Sequence, residues 1–136
     1  MPKPFGSAEW VAALKDQINA SQAYADSAAT WEGDFYFIVE AGAAAPAPIY
    51  MYMDLWHGKC RDAFVAPDQS AKNPAFIISA PYPNWKKVVT AQIDPIQALL
   101  TNQLKLKGNL VKIMKYVLAA QELVKACTRV DTEFVM

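Results

Sequence analysis

Residues 94–127 read DPIQALLTNQLKLKGNLVKIMKYVLAAQELVKAC, and three element boundaries stand in that stretch. The Asp94 carboxylate can accept the orphan N–H groups of a helix start, and Pro95 has no N–H to leave unpaired. The pair predicts a short helix from Pro95 to about Thr101. Gln103–Lys107 alternates strictly, which turns Leu104 and Leu106 one way and Lys105 and Lys107 toward water. Gly108 permits a tight turn at positive φ, and Asn109 can cap a second helix. That helix is predicted to be long and continuous, with an apolar stripe of Leu110, Ile113, Met114, Val117, Leu118, Leu123, Val124 and Cys127. Its spacing aims Met114 and its neighbours at a sheet. Helix, strand with one wet face, turn and apolar helix require the upstream chain to supply the surface they pack on.

Upstream, Ser7 is a plausible N-cap with Glu9 in the first turn, where the helix dipole favours a negative charge. Trp10, Val11, Leu14, Ile18 and Ala25 recur at helical spacing, so a first amphipathic helix is expected over about 8–27. Asp34–Glu40 is the best strand: Phe35, Phe37 and Val39 share one face, Tyr36 and Ile38 the other. Both faces are apolar, which implies a central strand covered on both sides, by protein, ligand or a second subunit. Ala41–Pro48 is proline-broken and reads as a stiff connection. Ile49–Trp56 and Lys59–Ala66 form a hairpin through His57-Gly58, and Phe76–Ile78 makes a short further strand. Pro81 and Pro83 precede a short helix, Asn84–Thr90, whose buried side is Trp85, Val88 and Val89. The tally is α+β: a five-stranded, mostly antiparallel sheet with helices on one face.

At 136 residues, the chain reads as one domain with its core at about 7–127. No run reaches the roughly 20 apolar residues of a membrane span. The first residues lack the apolar core of a signal peptide, and the last are not a Ser-Lys-Leu tripeptide, so a cytoplasmic location is expected. Charge is unevenly spread: residues 1–84 hold five Lys/Arg against nine Asp/Glu, and residues 85–136 hold eight against four. The basic last third either solubilises an apolar segment or favours transient contact with an anionic membrane surface. It falls short of the basic footprint that nucleic acid requires.

Catalytic constellations are nearly absent. His57 is the sole histidine, and its neighbour Cys60 lies at the same hairpin, where turn chemistry explains both. Asp54 alternates with aromatics, which fits a hydrogen-bonded structural carboxylate better than a general base. No set of Cys, His and acidic residues has metal-ligand spacing. No GxGxxG or P-loop run is present, so no cofactor is expected. Cys60 and Cys127 read as small buried or half-buried hydrophobes, not a disulfide. What remains is a surplus of adaptable apolar side chains: Met51, Met53 and Met114 with Phe35, Phe37, Phe76 and Trp85, on elements expected to face one another. They fill a dry core, or they line a cavity for hydrocarbon.

The run LKLKGN (Leu104–Asn109), followed by KIMK (Lys112–Lys115) and preceded by a DP-started helix and a GDFYF-type strand (Gly33–Phe37), resembles the sterol carrier protein 2 (SCP-2) sterol transfer family. The resemblance covers roughly residues 7–125. The chain departs from the pattern at Asn102-Gln103, where the family commonly has Gly-Lys, and in the long continuation after Lys115. The resemblance implies a non-enzymatic domain with an apolar tunnel for a lipid-like ligand, a fatty acyl chain or a sterol. On that basis the candidate contacts are Phe35, Phe37, Met51, Met53, Phe76, Trp85, Leu104, Leu106, Leu110, Met114, Val117 and Leu118. The rival reading is a homo-oligomer, at simplest a homodimer. In it the apolar excess is an interface, the pocket is collapsed, and the chain presents a greasy substrate to a separate enzyme.

Overall fold

Ser7, Asp94 and Asn109 each begin a helix, as their side chains foretell. In a computed structural model describing residues 2–135, Ser7 Oγ accepts from the Trp10 N–H at 3.1 Å. Asp94 Oδ1 accepts from Ile96 N–H at 2.8 Å and Gln97 N–H at 3.3 Å. Asn109 Oδ1 accepts from Lys112 N–H at 3.1 Å. In chain order the elements are β1 (Lys3–Pro4), α1 (Ala8–Asn19), α2 (Gln22–Ser27), β2 (Glu32–Glu40), β3 (Ile49–Trp56) and β4 (Lys59–Ala66). They continue with β5 (Phe76–Pro81), α3 (Tyr82–Val89), α4 (Pro95–Leu100), β6 (Lys105–Lys107), α5 (Leu110–Met114), α6 (Val117–Thr128) and β7 (Thr132–Glu133).

Five strands form one sheet in the order β4-β3-β2-β5-β6. All neighbours are antiparallel except β2 and β5, which run parallel with Phe35 opposite Phe76 and Phe37 opposite Ile78. A separate parallel pair joins β1 to β7, Lys3 opposite Thr132, and sequence reasoning gave no sign of it.

Two helices expected to be continuous are each divided. The segment 8–27 stops at Ala20, and Ser21 Oγ accepts from Tyr24 N–H at 3.1 Å to start α2. A serine that can bond its own backbone offers the chain an alternative to helix, and here it is taken. The last helix breaks at Lys115–Tyr116, where Tyr116 leaves helical geometry (φ −123°, ψ 42°). Tyr116 stands edge-on to Trp31, with ring centroids 5.0 Å apart, and its hydroxyl shares a 2.9 Å hydrogen bond with Thr30.

The alternation in β2 and β3 divides the molecule into two apolar layers. Phe35, Val39, Met51, Met53 and Leu55 join the main core under the helices. Tyr36, Ile38 and Tyr52 form a second cluster on the other face. Among the described residues that cluster is built from the sheet alone, and the loop between β4 and β5, with a 3-10 turn at Gln69–Ala71, lies over it. The fully buried Tyr36 accepts the Lys72 N–H on its hydroxyl at 2.9 Å, and the Lys72 ammonium lies 5.0 Å over the Tyr52 ring. The second apolar face of β2 is therefore closed by the chain's own loop.

β6 is shorter than expected, but its faces are as the alternation requires. Leu104 is 3% exposed and Leu106 half-buried, while Lys105 and Lys107 are exposed. Leu104→Ala should cost about 2–5 kcal/mol in a urea melt. Lys105→Ala and Lys107→Ala should each change stability by no more than about 0.5 kcal/mol.

Candidate functional site

The main core is not completely filled. Between the sheet and the helices lies an apolar cavity of about 120 Å³. Its floor is the inward face of three strands: Phe35 and Phe37 from β2, Met51, Met53 and Leu55 from β3, and Ile78 from β5. Period-two alternation puts these side chains on one surface. Trp85, Val88 and Val89 of α3 form one wall, as their helical spacing predicts, and Trp10 and Leu14 of α1 form another. Ile96 and Leu99 of α4 add their i, i+3 face, with Leu104 beside them. The roof is Ile113, Tyr116, Ala119, Ala120, Leu123 and Cys127, from α5, the break and α6.

The polar groups around this space are largely spoken for. Trp10 Nε1–H donates to Thr132 Oγ1 at 2.8 Å. Trp31 Nε1–H donates to the Gly33 carbonyl at 2.9 Å, and Trp85 Nε1–H to the Ile38 carbonyl at 2.8 Å. Each indole thus shows the cavity its hydrocarbon surface and hands its one donor to the protein frame. Stacked rings stiffen the floor: Phe35 lies 5.1 Å from both Phe37 and Phe76, centroid to centroid.

Of the twelve residues singled out from sequence, Phe35, Phe37, Met51, Met53, Trp85 and Leu104 line the cavity. Phe76 is buried behind Phe35 and Trp31. Leu106 and Val117 are half-buried and pack against the core. Leu110, Met114 and Leu118 differ from expectation. Instead of pointing at the sheet they are 37%, 37% and 69% exposed. Of the predicted stripe, Ile113, Leu123, Val124 and Cys127 do reach the cavity, and Tyr116, Ala119 and Ala120, at and after the break, join them in the roof. Tyr24, Ile96, Leu99 and Leu123 were missed as lining residues. The i, i+3 spacing of Ile96 and Leu99 could have revealed that pair.

Residues considered for chemistry are engaged elsewhere. His57 Nε2 meets Glu32 Oε2 at 2.6 Å, while the Cys60 thiol donates to the Asp62 carbonyl at 3.3 Å, so the two have separate partners. Asp54 takes a bidentate Arg61 at 3.0 Å and 3.0 Å on the far face of the sheet. Arg61 in turn lies 4.6 Å over the Trp56 ring. Burial pushes the Cys60 and Cys127 thiols up to about 12. Both are then protonated and weakly nucleophilic near neutral pH. Among the described residues no group of three His, Cys, Asp or Glu side chains could hold a metal ion, and no helix is long and apolar enough to cross a membrane. The arrangement is apolar on every side, and the polar side chains that reach its lining are Tyr24, Tyr116 and Cys127.

Comparison with known proteins agrees with this geometry. The model of the SCP-2 sterol transfer family matches residues 11–121. A crystal structure of sterol carrier protein 2 is 33% identical over 93% of this chain and 98% of that one, with a TM-score of 0.86. A conserved hypothetical protein from Thermus thermophilus is 31% identical over 98% and 94%, TM-score 0.87. The apo form of sterol carrier protein 2 from Yarrowia lipolytica shares the fold at 17% identity over 95% and 97%, TM-score 0.61. No curated protein sequence matches.

Proposed function

The chain belongs to the SCP-2 sterol transfer family, and from that premise we propose that it is a non-catalytic carrier of one lipid-like molecule, a fatty acyl chain or a sterol. The observation that carries the reading is the apolar cavity over the Phe35–Phe37–Met51–Met53 floor. Water gains little there, whereas hydrocarbon gains roughly 25 cal/mol per Å² removed from solvent. Two methionines in the floor suit variable hydrocarbon, because an unbranched thioether can repack around different chains.

The volume sets a condition. About 120 Å³ is near the ~150 Å³ that holds a single benzene ring, and below the roughly 300–1,000 Å³ of ordinary ligand sites. A full acyl chain or sterol must therefore push part of the wall outward. The divided roof, α5 and α6, is the segment we assign to that movement, and Leu104, Trp85 and the floor are the contacts that stay. The free thiols of Cys60 and Cys127 fit a reducing, cytoplasmic setting. Loading and unloading would involve transient contact with membranes.

Native mass spectrometry of protein purified without detergent tests the reading. The expected result is a population carrying one lipid mass, lost after delipidation and regained with added fatty acid. Protein that is uniformly unliganded and takes up neither fatty acid nor sterol would refute it. Support would then shift to the homo-oligomeric alternative.

A further inference from the structure

Along residues 95–121 the chain has four lysines, Lys105, Lys107, Lys112 and Lys115, and no Asp or Glu. In the same interval, α5 and the first turn of α6 turn Leu110, Val111, Met114 and Leu118 outward. Val111 is 67% exposed and Leu118 69%, unusual for side chains of this kind clustered at one corner. The bounding acids are occupied: Asp94 caps α4 and accepts from Gln121 at 2.9 Å, and Glu122 pairs with Lys125 at 3.3 Å. Lys112 is drawn inward, donating to the Glu32 carbonyl and lying 5.0 Å over the Trp31 ring. Lys105 lies 3.7 Å from Glu40. Lys107 and Lys115 remain exposed beside the patch.

We propose that the α5–α6 corner is a docking surface for an anionic bilayer, seating Leu110, Val111, Met114 and Leu118 among the acyl chains with Lys107 and Lys115 at the headgroups. Apolar side chains bordered by cations, with no acid in the segment that carries them and Glu32 beside Lys112 paired to His57 at 2.6 Å, are what a negatively charged lipid surface recognises. A second copy of the chain is a poorer occupant. It would meet the same lysines face to face across a two-fold contact, and four partly exposed side chains are few against the ~800 Å² per partner of a stable interface. The opposite side of the corner is the cavity roof: Ile113 and Tyr116 line the cavity while their helix neighbours face out. A docked corner therefore puts lipid within one side chain of the cavity. The purpose of this surface rests on the carrier reading, but its test does not.

The experiment is flotation of the full chain with phosphatidylcholine vesicles with and without phosphatidylserine, at low and high salt. Wild type should float with the anionic vesicles, and salt should weaken the association. V111N/L118Q should reduce it by about tenfold or more, as should K107Q/K115Q. The lysine pair is exposed and keeps the apolar patch, so it also guards against a folding artefact in the first variant. Both variants should take up fatty acid from vesicle-free buffer as wild type does; a failure of uptake in all three proteins would speak against the carrier reading alone. The proposal is overturned if wild type does not float, if both variants float like wild type, or if light scattering shows a dimer that V111N/L118Q dissolves.

Discussion

Ala119→Phe is expected to cut uptake of a fluorescent fatty acid by at least about tenfold while leaving thermal stability unchanged or higher. Ala119 is buried in the roof of the cavity, and the substitution adds one phenyl ring to a space close in size to one that holds benzene. A ring that enters an apolar void fills unoccupied volume, recovering contacts the void had lost. Ligand and side chain then compete for the same space, and pocket contacts worth even a methylene shift affinity by roughly 10–200-fold. If the interior instead behaves as a filled core, the ring overpacks it at about 1–3 kcal/mol. A destabilised variant, together with wild type that binds no probe, would count against the carrier. Met114→Trp serves as the control: Met114 lies outside the cavity lining at 37% exposure, and its enlargement should move neither measurement.

The second large effect lies at the β3–β4 turn. Gly58 holds φ +77°, and a Cβ there would stand 2.6 Å from the Ala25 carbonyl oxygen and 2.8 Å from the Ala25 Cα. Those are backbone atoms of α2 and cannot swing aside as a side chain does. Gly58→Val should therefore cost about 3 kcal/mol or more, the strain of a left-handed residue added to displacement of a helix. Gly108→Val should be milder, about 1–3 kcal/mol. Its φ is +141°, and the first atom met, at 2.7 Å, is the Phe76 ring edge, with the Ala75 carbonyl oxygen next at 3.1 Å. Chemical denaturation of the two variants side by side checks the order. Equal losses would mean that α2 yields as readily as a ring.

What could be read from sequence was what a few neighbouring residues decide. Asp94-Pro95, Ser7 and Asn109 announce helix starts because capping is a contact between residues two or three apart. The faces of β2 and β3 followed from alternation, so Phe35, Phe37, Met51 and Met53 were placed together before the fold was known. The break at Tyr116 was not legible, since no Gly or Pro marks it and the tyrosine's partners, Thr30 and Trp31, lie far away in sequence. Leu118, past the interruption, faces outward, and in the short α5 before it Ile113 faces in while Leu110 and Met114 face out. The β1–β7 pair was equally silent: two residues at each end carry no periodicity. The closure of the far sheet face by the loop around Lys72 depends on one backbone N–H finding one phenol, which composition does not encode.

The parallel pairing of β2 with β5 has a consequence for how the molecule is made. The hairpin β3–β4 can form beside β2 early, but the middle of the sheet stays open until Phe76–Pro81 returns to pair with residues 35–40. Such distant pairing slows folding, because the intervening chain must be ordered before the contact stabilises anything. Of the helices around Phe35, Phe37, Met51 and Met53, α1 and α2 precede them in the chain, but α3, α4, α5 and α6 come only after β5. Until those later helices are made, a nascent chain carries a partly uncovered aromatic and methionine surface, a state prone to aggregation and to capture by holding chaperones. The same surface that would receive a lipid in the finished protein is the last part of the core to be sheltered from water.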